Sequence, residues 1–259
     1  AEELITEKTS AIVPVHVYGN VCDVEALKKL ADKYGLKVIY DAAHAFGVKY
    51  KGRGVGDFGD ASIFSFHATK VFNSIEGGAV AYHEDELGEV LYNLKNFGIR
   101  SEEVIEGIGA NAKMNEFQAA MGLCNLRHID ENIAKRRKLA EYYYEELKGC
   151  PGIRLQSLRA GVEGNYAYMP AVFDETEFGV SRDAVYMRLK EFNIFTRKYF
   201  YPLTSEAQCY QGVLDSGDTP VARKISENVL TLPLFADMTK EDVKWVCDAI
   251  QYIREHYVK

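Results

Sequence analysis

The sequence predicts an α/β protein: a mostly parallel sheet flanked by helices, followed by a smaller α+β unit. Three observations carry this. Residues 10–16 and Lys37–Asp41 are apolar runs of strand length, separated by one helical pattern over Val24–Tyr34. A strand–helix–strand unit of that kind implies parallel strands. Two further strand-like runs, 61–66 and Gly78–Tyr82, precede the next helical pattern, and the pattern changes again after Gly149-Cys150-Pro151-Gly152.

Taken in order, residues 10–16 (Ser-Ala-Ile-Val-Pro-Val-His) read as a buried strand. Asp23 caps a helix over Val24–Tyr34 with apolar residues at Val24, Leu27, Leu30 and Ala31, and Gly35 closes it. Lys37–Asp41, 61–66 and Gly78–Tyr82 are the next strands, and a helix over about 84–96 follows. Residues 97–113, rich in Gly and without apolar period, predict a long functional loop. Asn115 caps a helix through Leu126, and a long helix runs over about 129–148. Beyond the break come strands at 153–156 and 166–173, a helix at 182–192 and a strand at 194–197. An irregular stretch, an extended segment at 229–233 and a final helix from Lys240 complete the chain. That last helix places Val243, Val246, Ile250 and Ile253 on one face. The domain boundary is placed inside the long helix, giving a large domain at 1–138 and a small domain at 139–259.

Composition narrows the function classes. The chain has 259 residues, 47% hydrophobic and 27% charged, with a net charge of −7, the profile of an ordinary globular protein. Lys and Arg are scattered among acids, so nothing points to nucleic acid. No apolar stretch is long enough to span a bilayer, so no membrane partner is expected. Cys22, Cys124, Cys150, Cys209 and Cys247 are odd in number and form no Cys-x-x-Cys pair. That argues against a disulfide framework or a metal site and for a reducing, cytoplasmic setting.

The chemistry centres on Lys70, in Ser65-Phe66-His67-Ala68-Thr69-Lys70, and on Asp41, in Lys37-Val38-Ile39-Tyr40-Asp41-Ala42-Ala43-His44. A lysine at a strand end is exposed by default. A strand ending in Asp beside a strand leading to a lone Lys, with Glu76-Gly77-Gly78 just downstream, suits pyridoxal phosphate. The Lys would bond to the cofactor's aldehyde, and the Asp would hold the proton on its pyridine nitrogen. Gly52-Arg53-Gly54 and Glu76-Gly77-Gly78 lack the spacing of a nucleotide fingerprint and read as tight turns.

At Asp41, His44, Ser65 and Lys70 the chain resembles the DegT-type nucleotide-sugar aminotransferases, which are fold-type-I pyridoxal phosphate enzymes. The resemblance continues through Val15-His16-Val17-Tyr18-Gly19, Gly52-Arg53-Gly54-Val55-Gly56, Gly109-Ala110-Asn111-Ala112-Lys113-Met114-Asn115-Glu116 and Leu232-Pro233-Leu234. It implies the large domain of that fold, incomplete at its N-terminus. The family's preceding segment, with a Gly-Thr phosphate loop and an aromatic that stacks on the cofactor, is expected to lie outside this chain.

The resemblance also implies roles. Lys70 is the covalent and proton-moving residue, Asp41 the partner of the pyridine nitrogen, and Ser65 a hydroxyl donor to the cofactor phosphate. For His44 two readings stand: a satisfied core histidine, or the residue aimed at the cofactor's phenolic oxygen. Asn111 would reach a partner subunit's cofactor phosphate, which implies a homodimer with shared active sites. Lys113 would meet an anionic substrate group or is a solvated loop lysine. Tyr199, in Arg197-Lys198-Tyr199-Phe200-Tyr201-Pro202, would stack on the nucleotide sugar or pack in the core.

The implied reaction moves an amino group, from glutamate, to a nucleotide-linked keto sugar. Members with His in place of this Lys dehydrate instead, so Lys70 points to transamination. The alternatives are an amino-acid aminotransferase or a cysteine desulfurase, with Arg223 or Cys209 as the residues they would need, and a non-catalytic fragment of the fold.

Overall fold

The chain runs through β1 (Ala11–Ile12), α1 (Val24–Tyr34), β2 (Lys37–Asp41), a short pair β3 (Lys49–Tyr50) and β4 (Arg53–Gly54), then β5 (Ala61–Ser65) and β6 (Gly78–Tyr82). Helices α2 (Asp85–Lys95), α3 (Glu116–Leu126) and α4 (Ile129–Glu146) follow. The remainder comprises β7 (Ile153–Leu155), β8 (Val162–Glu163), β9 (Met169–Phe173), α5 (Glu175–Phe178), α6 (Arg182–Glu191), α7 (Pro220–Asn228), β10 (Val229–Leu232) and α8 (Lys240–His256). The structure is a computed structural model, and it describes residues 1–212 and 219–257. No helix among the described residues is long and apolar enough to cross a membrane.

The described chain divides into two compact units. One is Ala1–Asn132 with Leu158–Ala167, the other Ile133–Ser157 with Tyr168–Lys259. The division expected at 138/139 lies in α4, as does the break between these units. The return of Leu158–Ala167 to the first unit has a local cause: β8 pairs with β3 (Tyr50 opposite Val162), and Arg159 meets Asp23 at 2.9 Å.

In the first unit the sheet order is β1-β2-β5-β6. β1 with β2 and β2 with β5 are parallel, and β6 closes the sheet antiparallel to β5. Asp41 lies opposite Ile63, and Ser65 opposite Gly78. The strand expected over 10–16 stops at Ile12, because Pro14 has no N–H to give to a ladder. A single bridge from Val15 to Asp41 resumes the pairing.

The helix between β1 and β2 forms where its signals stand. The Asp23 side chain accepts the Ala26 N–H at 3.0 Å, and Gly35 ends the helix in the left-handed region. Its inner face, Val24 and Ala31, is buried with Val38, Tyr40, Ala42, Val48, Tyr50 and Val55. This core fixes β2, and hence the position of Asp41 at its carboxyl end.

In the second unit β9 lies between β10 and β7, antiparallel to both. Met169, Ala171 and Phe173 are buried, as are Val185 and Leu189 of α6 and Val243, Cys247, Ile250 and Ile253 of α8. The strand expected at 194–197 is a correction: only Arg197 pairs, in one bridge with Thr231. β10 gives way to Pro233, which offers no N–H for a longer ladder. The strand expected from residue 166 begins at Met169, since Tyr166 has a φ of 52° that no strand residue adopts. Helix α7 starts on Pro220 at its first turn, a start signal inside what the sequence suggested was irregular.

Candidate active site

Asp41 and Lys70 leave the sheet at the same edge. Asp41 ends β2, and the loop that carries Lys70 leaves the carboxyl end of its parallel neighbour β5. Ligands of parallel α/β sheets bind at that edge, where loops diverge from strand ends. The loop is held shut at its base: Phe66 N–H donates to Gly77 O and Ser74 N–H to Phe66 O, each at 2.9 Å. Within it, Lys70 N–H turns back to His67 O at 2.9 Å. Phe66 and Phe72 pack with Phe46, with centroid separations of 5.6 and 4.3 Å from the Phe46 ring. A Cβ at Gly77, whose φ is +150°, would sit 2.5 Å from Ser74 Oγ and 2.8 Å from Met114 Cε, so the turn is tight enough to require glycine.

The charges of this group feel one another. Burial pulls the Lys70 ammonium below the usual lysine range, while the Asp41 carboxylate pulls the other way. His44 is lowered to about 4, first by burial and then by the charge of Lys70, with Asp41 opposing. Asp41 Oδ1 accepts the Ala43 N–H at 3.0 Å, which fixes the carboxylate at the start of the turn that carries His44. The structure thus brings together Asp41, His44 and Lys70: an amine eased toward its neutral form, a carboxylate and a neutral imidazole.

The other residues singled out from sequence fall in different places. Ser65 ends β5, half-buried, and its Oγ accepts the His67 N–H at 3.3 Å. Asn111 and Lys113 are exposed, and Lys113 Nζ donates to Asn111 Oδ1 at 2.8 Å while lying over the Phe97 ring at 4.5 Å. Ala110 and Ala112 N–H groups donate to Leu94 and Lys95 carbonyls, which ties that segment to the end of α2. Tyr199 belongs to the second unit. It is half-buried, stacked on Phe200 at 4.9 Å and edge-on to Tyr168 at 6.2 Å, and its hydroxyl accepts from Arg197 Nη1 at 3.2 Å. Cys209 is exposed, and Arg223 is paired with Glu206.

Five further contributors are not singled out as site residues by the sequence. Phe46, Phe66 and Phe72 look like ordinary core residues in the sequence. His16, fully buried and stacked on Tyr40 at 4.6 Å, binds the end of β2 through its backbone. Asn165, 1% exposed, lies far along the chain yet donates to the carbonyls of His44 and Phe46. Only its Gly-Asn context hinted at a turn.

A mostly parallel α/β sheet with lysine, carboxylate and imidazole converging at its carboxyl edge defines a class of cofactor-dependent group-transfer proteins. The chain belongs to the DegT/DnrJ/EryC1/StrS aminotransferase family, whose sequence profile matches residues 1–251. It is 43% identical over 253 residues to a dTDP-4-amino-4,6-dideoxy-D-glucose transaminase of Shigella dysenteriae, covering 98% of this chain and 69% of that protein. Among solved structures it is similar to DesI, determined in the presence of its TDP-sugar product, with a TM-score of 0.92 and 36% identity over 98% of this chain and 65% of that one. The Streptococcus pneumoniae protein Spr1654, solved in a PLP-form, matches all of this chain and 71% of its own, with a TM-score of 0.91 and 25% identity. The chain therefore spans about two thirds of the length of the relatives it matches. The fold-type-I expectation and the family resemblance both hold.

Proposed function

We propose that the protein transfers an amino group, from glutamate, to a nucleotide-linked keto sugar, with pyridoxal phosphate as cofactor. The observation that carries this reading is the convergence of Lys70, Asp41 and His44 at one sheet edge, each within electrostatic reach of another. The donor set fits the cofactor: an amine with a lowered pKa for its aldehyde, a carboxylate for its pyridine nitrogen and a neutral imidazole for its phenolic oxygen. The Ser65 hydroxyl would meet its phosphate. When bound, pyridoxal phosphate supplies an aldehyde for the lysine and a sink for the electrons left on the amino donor's α-carbon.

The protein's own residues do the rest. Lys70 Nζ, partly desolvated, gives up its proton more readily than an exposed lysine and would take the donor's α-carbon proton. Asp41 would set its carboxylate against the ring nitrogen of the bound cofactor and help keep a proton there. The Phe46, Phe66 and Phe72 rings pack against one another along one side of the lysine loop.

The relatives' names support a nucleotide-sugar acceptor, since the Shigella protein is a dTDP-sugar transaminase. Tyr199 and Phe200 offer flat faces for such a ligand, and Lys113 a positive charge. Arg223, the residue an amino-acid aminotransferase would need for a substrate carboxylate, is already engaged by Glu206. We further propose a homodimer in which Asn111 serves the partner's site. Asn111 is exposed, and the neighbouring α3 leaves the large apolar side chains of Phe117, Leu123 and Leu126 exposed, which suits burial against a partner. Five unpaired thiols fit a reducing, cytoplasmic setting.

The test is a panel of nucleotide keto sugars incubated with glutamate and the intact, cofactor-loaded protein. The expected result is 2-oxoglutarate and an amino sugar in equal amounts from at least one dTDP- or GDP-linked substrate. Turnover of glutamate with free keto acids alone would contradict it.

A further inference from the structure

Two neighbours converge on His44 from opposite ends of the residue. Its ring Nδ1 accepts the Tyr18 backbone N–H at 3.1 Å. A peptide nitrogen only donates, so Nδ1 is bare and the neutral ring carries its single proton on Nε2. Its backbone carbonyl accepts from Asn165 Nδ2 at 2.8 Å, and the same nitrogen donates to Phe46 O at 2.9 Å. Asn165 Oδ1 in turn accepts the Ala167 N–H at 3.1 Å. This orientation of the carboxamide is forced, because the flipped form would set an oxygen against two carbonyls and an NH2 against an N–H. At 1% exposure there is no water to make good such a mismatch. Gly19, with a φ of +84°, makes the approach feasible: a Cβ there would lie 2.7 Å from Asn165 Oδ1 and 3.1 Å from His44 O.

We infer that Asn165 and the Tyr18 backbone amide are a positioning pair that fixes the place of His44 and keeps its proton on Nε2, so that the ring presents a hydrogen-bond donor to a ligand oxygen. The electrostatics agree. With its pKa lowered to about 4, His44 is neutral at pH 7, and Nε2–H is its one N–H. The arrangement has the logic of outer partners that set a histidine's tautomer by hydrogen-bonding its other nitrogen. Identifying the ligand oxygen as the phenolic oxygen of pyridoxal phosphate rests on the aminotransferase reading; the tautomer does not. Asn165 is a positioning residue, since it acts on the ligand only through His44.

The experiment is long-range proton–nitrogen NMR on the intact protein labelled with 15N-histidine, without cofactor, at about pH 7. The His44 signals are assigned by their loss in His44→Gln. A bare Nδ1 and a protonated Nε2 are expected. The opposite tautomer overturns the inference, whatever reaction the protein performs. In Asn165→Ala and Asn165→Asp the His44 signals should shift toward a mixture of tautomers, and pyridoxal phosphate affinity should fall about tenfold, with Lys70 still trapped by borohydride. Folded variants with unchanged tautomer and unchanged affinity contradict the inference, and if neither variant folds, the native spectrum alone decides. The expected tautomer in a protein that never takes pyridoxal phosphate on Lys70 would defeat the enzymatic reading and leave the positioning pair standing.

Discussion

The backbone amide of His16 donates to the carbonyl of Asp41 at 2.9 Å, while the Asp41 amide donates to Pro14 at the same distance. The backbones of a buried histidine and a strand-end aspartate are thus fastened by one short parallel bridge. The His16 ring stacks on Tyr40, the residue before Asp41, and its Nδ1 accepts the Cys22 N–H at 3.1 Å. The segment that carries His16, Tyr18 and Gly19 therefore braces both Asp41 and His44.

That bracing makes stability depend on pH. Burial lowers His16 and His44 to about 4 each, below the ordinary histidine value of 6.5. Between these values the unfolded chain binds more protons than the folded one, so stability rises with pH across the window. It is complete above about pH 6.5 and is lost as pH falls toward 4, at roughly 1.4 kcal/mol per pH unit for each histidine. Urea unfolding at steps from pH 7.5 to 5 should show this slope, and a His16→Gln, His44→Gln double variant should flatten it. A stability constant from pH 7 to 5 in the native protein would contradict the assignment.

Asp41→Asn keeps the shape of the side chain and removes its charge. Loss of a fixed charge aimed at the reacting centre should lower turnover by about 100-fold or more. Borohydride trapping at Lys70 should persist, because Lys70 keeps its amine. Turnover within about twofold of the native rate would remove Asp41 from the site.

Ile250 of α8 is fully buried in the second unit. Ile250→Ala leaves a cavity in the core of that unit and should destabilise the protein by about 2–5 kcal/mol. Denaturant titration checks this, and a loss below about 1 kcal/mol would mean the core there is looser than described.

Sequence signals were strongest where structure is local. Helix α1 has its cap, its apolar period and its closing glycine within a dozen residues, and it forms over the expected span. Asp41 and Lys70 were legible because each ends or follows a clear strand. What escaped depends on distant partners. β3, β4 and β8 are two residues each, and β8 finds its place only because Leu158–Ala167 returns to the first unit to pair with β3. Asn165 is chosen by two carbonyls that no local pattern can reveal. The strand expected at 194–197 failed for the converse reason, since its residues suit a strand but find one pairing position.

Whether Lys70 takes the cofactor is read by trapping it. The intact protein is incubated with pyridoxal phosphate, reduced with borohydride, digested and read by mass spectrometry. One dominant adduct is expected, on the peptide containing Lys70, abolished in Lys70→Arg. An adduct at another lysine, or none at all, would contradict it.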